Sequence, residues 1–180
     1  MKFNPTDIAK VTVIEIEPHG DDRGFFARGF CAREFEEHGL TNRVVQANIS
    51  YNRLRGTLRG LHYQVAPARE AKHIRVTRGA AQFAVVDLRR GSPTELKHVT
   101  VLLDAASHRS LFLPEGCAVG MQTLEDETEL FYQVSEFYSP EHERGLRYDD
   151  PALGIEWPLP VTVMSDKDRA WPLISEGLDR

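Results

Sequence analysis

Alternation of apolar and polar residues at every second position is the feature that most limits how this chain can fold. The segment 10–17 (KVTVIEIE) alternates in this way, as a strand with one buried and one solvated face does. Similar short β-rich runs follow, and Gly, Pro, Asp or Ser separates most of them. They are 43–51, 72–78, 80–88, 97–103, 109–113 and 128–137. Many short strands joined by turns predict a sandwich or barrel with a pocket at its mouth.

Only one segment has helical character. Residues 31–38 place Phe35 among glutamates, and Gly39 is a suitable stop signal. The stretch that begins at Tyr148 is rich in Pro and Asp, so we expect an ordered loop that wraps the barrel. Within it, Trp157 is expected to anchor packing rather than bind a ligand.

Length, composition and charge limit the classes of molecule that the chain is expected to bind. A length of 180 residues suits one domain with a substantial core, so we expect 1–180 to form a single domain. No apolar run is long enough to cross a bilayer and the N-terminus lacks a signal peptide, so we expect a cytoplasmic location without a membrane partner. The formal net charge of −5 argues against binding of nucleic acid. Cys31 and Cys117 have neither the number nor the spacing of a disulfide scaffold or a zinc site. The expected partner is a small molecule.

The densest group of polar residues lies in 53–64 (RLRGTLRGLHYQ). On a strand, residues two apart share a face. His62 and Arg59 are therefore expected on opposite faces, unless a bulge at Gly56 or Gly60 interrupts the alternation. His62 is a candidate pocket residue.

The same segment resembles a cupin metal site that has lost ligands. The spacing around His62 matches the first cupin motif, Gly, five residues and His-x-His, but Gln64 replaces the second His. Residues 114–116 begin the second motif, in which Val119 takes the place of the His. A metal would be left with His62 and Glu70, which are too few ligands to hold it. We predict a mostly β, cupin-type double-stranded β-helix or jelly-roll barrel with one or a few short helices and no metal.

Across nearly its whole length the chain resembles the dTDP-4-dehydrorhamnose 3,5-epimerase family of metal-free cupins. Each motif is weak alone, but the ordered set is specific: D-x-R-G-x-F at 21–26, Q-x-N-x-S at 46–50, RGLHYQ at 59–64, VDLR at 86–89, SPT at 92–94, YSP at 138–140, WP at 157–158 and S-x-K-D at 165–168. The resemblance implies a homodimer with strands shared across its interface and no cofactor. It also implies a nucleoside-diphosphate 4-keto-6-deoxy sugar as substrate, in deoxysugar or surface-polysaccharide biosynthesis.

The resemblance further implies proton transfer that inverts C3, C5 or both. His62 would be the base, and Asp168 would fix its tautomer. Lys72 would stabilise the enolate oxygen, and Tyr132 would return a proton from the opposite face. Further implied contacts are to the diphosphate, from Arg23, Arg59 and Lys167, and to the rest of the nucleotide sugar, from Phe26, Gln46, Asn48 and Tyr138.

Each of these residues also has a plainer structural interpretation. Taken alone, His62 is more often a hydrogen-bonded structural histidine, and Lys72 could lie on a solvated strand face. Tyr132 could be a core aromatic and Asp168 a turn or helix-cap residue. Only the joint pattern favours a catalytic site. The remaining histidines are expected on the surface: His19, His38, His73, His98, His108 and His142.

Three positions depart from the family. Val119, Phe83 and Arg28 stand where the family usually carries His, Asp and Glu. The first two are expected to form an apolar pocket wall near Lys72 and to alter the substrate or the stereochemical outcome. Arg28 offers only donors, which would suit a base that presents an acceptor, such as cytosine. The alternatives are a one-centre epimerase or 3,4-ketoisomerase on a nucleotide sugar other than dTDP, such as a CDP sugar, and a non-catalytic sugar-nucleotide-binding cupin.

Overall fold

The computed structural model describes residues 1–180 and contains thirteen short strands and two short helices. The elements are β1 (Lys2–Pro5), β2 (Thr12–Glu15), β3 (His19–Asp21), β4 (Gly24–Phe26), α1 (Ala32–Glu37), β5 (Gln46–Asn52), β6 (Leu58–Gln64), β7 (Lys72–Arg78), β8 (Ala80–Asp87), β9 (His98–Asp104), β10 (Ser110–Leu113), β11 (Cys117–Thr123), β12 (Thr128–Val134), β13 (Glu143–Gly145), α2 (Asp166–Arg169) and a 3-10 turn (Ile174–Glu176). Neither helix has the length and apolar character needed to span a bilayer.

Two antiparallel sheets form the body of the molecule. One has six strands in the order β1-β2-β10-β7-β12-β5, and the other has five in the order β13-β6-β11-β8-β9. Strands β3 and β4 form a separate hairpin. Strands distant in sequence thus lie side by side, and the predicted mostly β jelly-roll class is confirmed.

The main apolar cluster joins the inner faces of the two sheets. Ile74 and Val76 of β7 belong to the same buried cluster as Phe83 and Val85 of β8. Cys117 also lies in this cluster, and burial raises the pKa of its thiol to about 12. This inner core holds the sheets at the separation that leaves room for a cavity between them.

The segment after Tyr148 covers the outer face of the five-stranded sheet, as predicted. Leu61 of β6 and Val86 of β8 point outward into a second buried cluster. Trp157 packs against that cluster, and its indole N–H donates a hydrogen bond to the carbonyl oxygen of Tyr148 at 2.9 Å. The covering segment is thereby fixed in position, and it also carries α2.

Helix α1 covers the outer face of the six-stranded sheet and overturns one prediction. His73 is not on the surface, because its ring lies edge-on to the fully buried Phe35, with centroids 5.1 Å apart. Its Nδ1 lies 3.2 Å from the Gln133 Oε1, and its Nε2 lies 2.8 Å from the Ser110 Oγ. Burial lowers the pKa of His73 to about 4. The helix that covers it is distant in sequence, so local polarity gave the wrong expectation.

Strand β11 has no alternating pattern, and the sequence did not predict it. All seven of its residues are buried. The strand lies at the centre of the five-stranded sheet, with the inner core on one face and the C-terminal segment on the other. A strand covered on both faces loses the period-two signal.

Candidate active site

A cavity of about 270 Å³ opens between the two sheets. Strands β6, β8 and β11 supply one wall, and β5, β7 and β12 supply the other. Its polar lining residues are Ser50, Arg59, His62, Lys72 and Tyr132, and its apolar ones are Ile74, Phe83, Val119, Met121 and Leu130. The sequence thus predicted six of these residues as site residues, and the fold brings those six together.

A bulge in β6 turns Arg59 and His62 toward the same cavity. Val119 of β11 pairs with His62, whereas Met121 pairs with Arg59, so the β6 strand carries one extra residue here. Gly60 has a φ of +107°, and a Cβ at this position would lie 2.6 Å from the backbone of β11. The structure therefore confirms a bulge at Gly60. The prediction that Arg59 and His62 lie on opposite faces is wrong.

His62 and Asp168 form a direct contact. The Nε2–H of His62 donates to the Oδ1 of Asp168 at 2.5 Å, and Gly60 N–H and Trp171 Nε1–H donate to the same carboxylate at 3.3 and 3.2 Å. Burial alone would raise the pKa of Asp168, but these hydrogen bonds and the charge of His62 hold it below its ordinary value. Ser165, not Asp168, caps α2, since its Oγ accepts from the Asp168 N–H. The carboxylate is therefore ionised and fixes the imidazole.

Lys72 and Tyr132 line the cavity from the six-stranded sheet, opposite the wall that carries His62. The Lys72 ammonium forms an ion pair with Glu70, in which the side chains are 12% and 9% exposed. Burial, and then the charge of Glu70, raises the pKa of Tyr132 against the opposing charge of Arg59. The phenol is therefore protonated at neutral pH. The sequence indicates Glu70 only as a residual metal ligand.

Strand β5 presents a row of polar side chains at the edge of this wall. Gln46, Asn48 and Ser50 alternate with more exposed residues, and Ser50 reaches the cavity lining. Asn52, at the end of the row, accepts a hydrogen bond from the Arg59 Nε at 2.6 Å. Gln46 and Asn48 thus lie on the cavity side of β5 but outside the lining itself.

Tyr138 and Lys167 meet at a carboxylate that the sequence did not single out. The Tyr138 hydroxyl and the Lys167 ammonium donate to the Glu143 Oε2 at 2.6 and 2.5 Å. Burial alone would raise the pKa of Glu143, but these two hydrogen bonds and the nearby charge of His62 hold it below its ordinary value. Glu143 lies on β13, which pairs with β6. The group therefore lies beside the His62 dyad.

Three predicted ligand contacts lie outside the cavity of the chain. Arg23 and Phe26 belong to the hairpin of β3 and β4, and Arg28 follows it. All three are exposed, and Arg23 pairs with Asp21 in the same turn. Within one chain, the fold does not bring these side chains to His62.

The residues at the cupin ligand positions are not arranged to bind a metal. No group of three or more His, Cys, Asp or Glu side chains is placed to hold a metal ion. Gln64 donates its amide hydrogens to the carbonyls of Ala68 and Phe137 and accepts from the Ser139 N–H. Val119 and Phe83 are apolar members of the cavity wall. The donor set does not fit a metal.

The jelly-roll fold and its acid–base cavity define a cupin-type isomerase. A family model described as dTDP-4-dehydrorhamnose 3,5-epimerase matches residues 5–176. A protein of that name from Sinorhizobium fredii is 41% identical over 177 residues, which cover 98% of this chain and 91% of the relative. The chain belongs to the dTDP-4-dehydrorhamnose 3,5-epimerase family, and the predicted family and enzyme class are confirmed.

Two further relatives bear on the ligand and the reaction. The crystal structure of the Bacillus anthracis dTDP-4-dehydrorhamnose 3,5-epimerase, with TDP and PPi bound, superposes with a TM-score of 0.92 at 40% identity and covers 96% of this chain and 98% of its own. A dTDP-4-dehydrorhamnose 3-epimerase from Streptomyces niveus is 37% identical over 180 residues, covering 99% of this chain and 86% of the relative. The family thus includes a member named for one centre.

Proposed function

We propose that the chain inverts C3, C5 or both of a dTDP-linked 4-keto-6-deoxy sugar, as a step of deoxysugar biosynthesis. The observation that carries the proposal is the His62–Asp168 hydrogen bond beside a cavity that His62 shares with Lys72 and Tyr132. A base, an oxyanion stabiliser and a second proton donor are what inversion next to a ketone requires.

In the proposed reaction, Asp168 holds the Nε2 proton of His62, which leaves Nδ1 as the basic nitrogen. Nδ1 takes the proton from the carbon next to the ketone, and the bonding electrons move into an enolate. The Lys72 ammonium stabilises the negative oxygen. Tyr132 donates its proton to the opposite face of that carbon, which inverts the centre. The imidazolium and the phenolate then exchange protons with water before the next turnover.

The proposed binding contacts divide by chemistry. Arg59 and Lys167 would neutralise the diphosphate, because cations of this kind match phosphate oxygens. Gln46, Asn48 and Tyr138 would orient the nucleotide through polar contacts. The apolar wall that contains Phe83 and Val119 suits the C6 methyl group of a 6-deoxy sugar.

The decisive test is proton exchange in deuterium oxide. The wild-type protein is expected to move solvent deuterium to C3 or C5 of the dTDP-linked 4-keto-6-deoxy sugar, followed by NMR. His62→Asn should slow this exchange at least about 100-fold, because general-base catalysis contributes about 10²–10⁴. The control His98→Asn changes a histidine on β9, outside the cavity, and should leave the rate unchanged. Binding of dTDP without exchange in the wild type would instead support the sugar-nucleotide-binding alternative.

The number of inverted centres is a second question that the same spectra answer. The Streptomyces niveus relative, named a 3-epimerase, favours a one-centre reaction as the alternative. Deuterium at C3 alone would support that alternative, and deuterium at both carbons would support the 3,5-epimerase. A product with its ketone moved to C3 would identify the 3,4-ketoisomerase.

The identity of the nucleotide carrier is proposed from a relative in the same family. The Bacillus anthracis structure was solved with TDP bound, so we propose dTDP as the carrier for this chain. Arg28, with its donors only, is the residue that argued for a base such as cytosine. Calorimetry with dTDP and CDP should show tighter binding of dTDP, and a clear preference for CDP would reverse the assignment.

We further propose a homodimer in which the hairpin of β3 and β4 contacts the nucleotide bound by the partner subunit. The support is the exposure of Phe25 and Phe26 on the hairpin and of Ile49 and Tyr51 on β5. Strand β5 is also an open edge of the six-stranded sheet. Exposed apolar groups beside an unpaired edge strand are typical of an interface between chains.

A further inference from the structure

The ion pair between Glu70 and Lys72 is unusual for its depth. The two side chains are 9% and 12% exposed, and no other ion pair in the structure has both members so deeply buried. Lys72 lines the cavity, whereas Glu70 precedes β7 and does not line it. The Glu70 carboxylate therefore contacts the Lys72 ammonium from outside the cavity lining.

The surroundings explain why Lys72 needs this partner. The cavity wall near it is apolar, with Ile74, Phe83 and Leu130 among its members. An ammonium group that has lost water to such a wall requires a countercharge. Glu70 is the hydrogen-bond partner of Lys72 in the structure. An ammonium has three donors, so two N–H groups stay available to a ligand.

Glu70 also acts on the second proton-transfer residue. Its negative charge, together with burial, raises the pKa of Tyr132. One carboxylate outside the cavity thus influences both Lys72 and Tyr132, on the wall opposite His62. Asp168 contacts His62 in a similar way, because it accepts a hydrogen bond from this cavity residue and lies outside the lining itself.

We propose that Glu70 is a positioning residue that holds the Lys72 ammonium at the enolate oxygen. This inference rests on the proposed epimerase function. Glu70 acts through Lys72 and does not touch the substrate. Glu70 hydrogen-bonds to Lys72 and to none of the residues assigned to the nucleotide. Its loss is therefore expected to affect the chemical step and to leave nucleotide binding unchanged.

The first test is Glu70→Gln, which keeps the shape and removes the charge. Its kcat for deuterium exchange into the dTDP-linked 4-keto-6-deoxy sugar should fall about 10- to 100-fold, as a misplaced catalytic group does. KM and the Kd for dTDP should change less than about threefold, because only an interaction of the transition state is lost. Glu95→Gln is the control, since it removes a carboxylate paired with Arg180 outside the cavity. A wild-type kcat in Glu70→Gln would overturn the proposal while leaving the epimerase function intact.

The second test is a double-mutant cycle with Lys72→Met. If Glu70 acts through the lysine, adding Glu70→Gln to Lys72→Met should change kcat less than about twofold. Multiplication of the two single effects would overturn the proposal, since it would show a role independent of Lys72.

Should Glu70→Gln fail to fold, Glu70→Asp serves instead. It keeps the charge but draws the ammonium back by one methylene, so kcat should fall about 3- to 10-fold at unchanged KM. A wild-type rate in this variant would equally refute the positioning role.

Discussion

At the scale of single residues, the site is organised by three carboxylates that hold basic side chains: Asp168, Glu70 and Glu143. Each accepts a hydrogen bond from its basic partner and so restricts the rotation of that side chain. Asp168 and Glu143 have a pKa below the ordinary value in spite of burial, because hydrogen bonds to their charged forms outweigh desolvation. Two of the basic groups, His62 and Lys72, line the cavity, and their carboxylate partners lie outside its lining.

The partly buried His73 leads to a prediction about stability and pH. Its pKa is lowered from 6.5 to about 4 by burial. Between these values the unfolded chain binds a proton that the folded chain does not, so the contribution of His73 to stability is complete above about pH 6.5 and is lost as the pH falls toward 4. The loss should be on the order of 2–3 kcal/mol.

Urea unfolding of the wild type and of His73→Gln at pH 7.5 and pH 4.5 measures this effect. Carboxylates contribute equally to both proteins, so the informative quantity is the difference between their pH dependences. The wild type should lose more stability than His73→Gln on acidification, and His98→Gln should behave as the wild type. Parallel pH dependences in the wild type and His73→Gln would contradict the assignment.

Membership of the candidate site could be predicted from the sequence only for residues that lie in a recognisable motif. His62 and Lys72 lie in recognisable segments, and the fold brings both to one cavity. The contact between His62 and Asp168 joins residues 106 positions apart, a distance that no local pattern spans. Only the family resemblance could suggest it. Glu143 and Glu70 were not predicted as members of the site, because their importance depends on partners that folding brings to them.

At the scale of elements, every run that the sequence predicts as a strand overlaps a strand of the structure. Segments 72–78, 80–88 and 128–137 correspond to β7, β8 and β12, within a few residues at their ends. β11 (CAVGMQT) escaped prediction because it is buried on both faces and lacks the run of aromatic and β-branched residues that marks the similarly buried β8. α2 escaped prediction because it has only four residues. The bulge in β6 was an open alternative, since glycine permits it without requiring it.

This bulge gives a prediction for Gly60→Ala. The substitution places a Cβ 2.6 Å from the β11 backbone at a φ of +107°, so it should lower the free energy of unfolding by about 3 kcal/mol or more. Gly91→Ala is the control, because its φ is +75° but no atom lies within 4 Å of the added Cβ. It should lose only about 1–2 kcal/mol. Urea unfolding measures both, and equal losses would show that the close contact contributes nothing.

At the scale of the whole molecule, the cavity depends on three parts of the chain. His62 belongs to one sheet, Lys72 to the other, and Asp168 to the segment that covers the outer face. A fourth part, the hairpin with Arg23 and Phe26, lies on the outside. The mostly β fold and the family could be predicted from sequence, whereas the distribution of the site over distant segments follows only from topology.

The proposed dimer gives a prediction at this scale. Ile49→Asp places a charge on the 69% exposed apolar position of β5, which should separate the subunits because an unpaired charge in an apolar interface is costly. Leu102→Asp is the matched control on β9, where the leucine is 50% exposed at the edge of the other sheet. Light scattering after size exclusion should find a dimer for the wild type and the control, and a monomer for Ile49→Asp. A monomeric wild type would contradict the dimer.

The position of Asp168 has a consequence for how the protein becomes active during its synthesis. All thirteen strands precede this residue in the chain. Folding can proceed as a chain leaves the ribosome, so both sheets can close before the carboxylate emerges. At that stage His62 lacks the carboxylate that fixes its imidazole in the complete chain. The hydrogen bond that orients His62 thus forms only when the C-terminal segment docks.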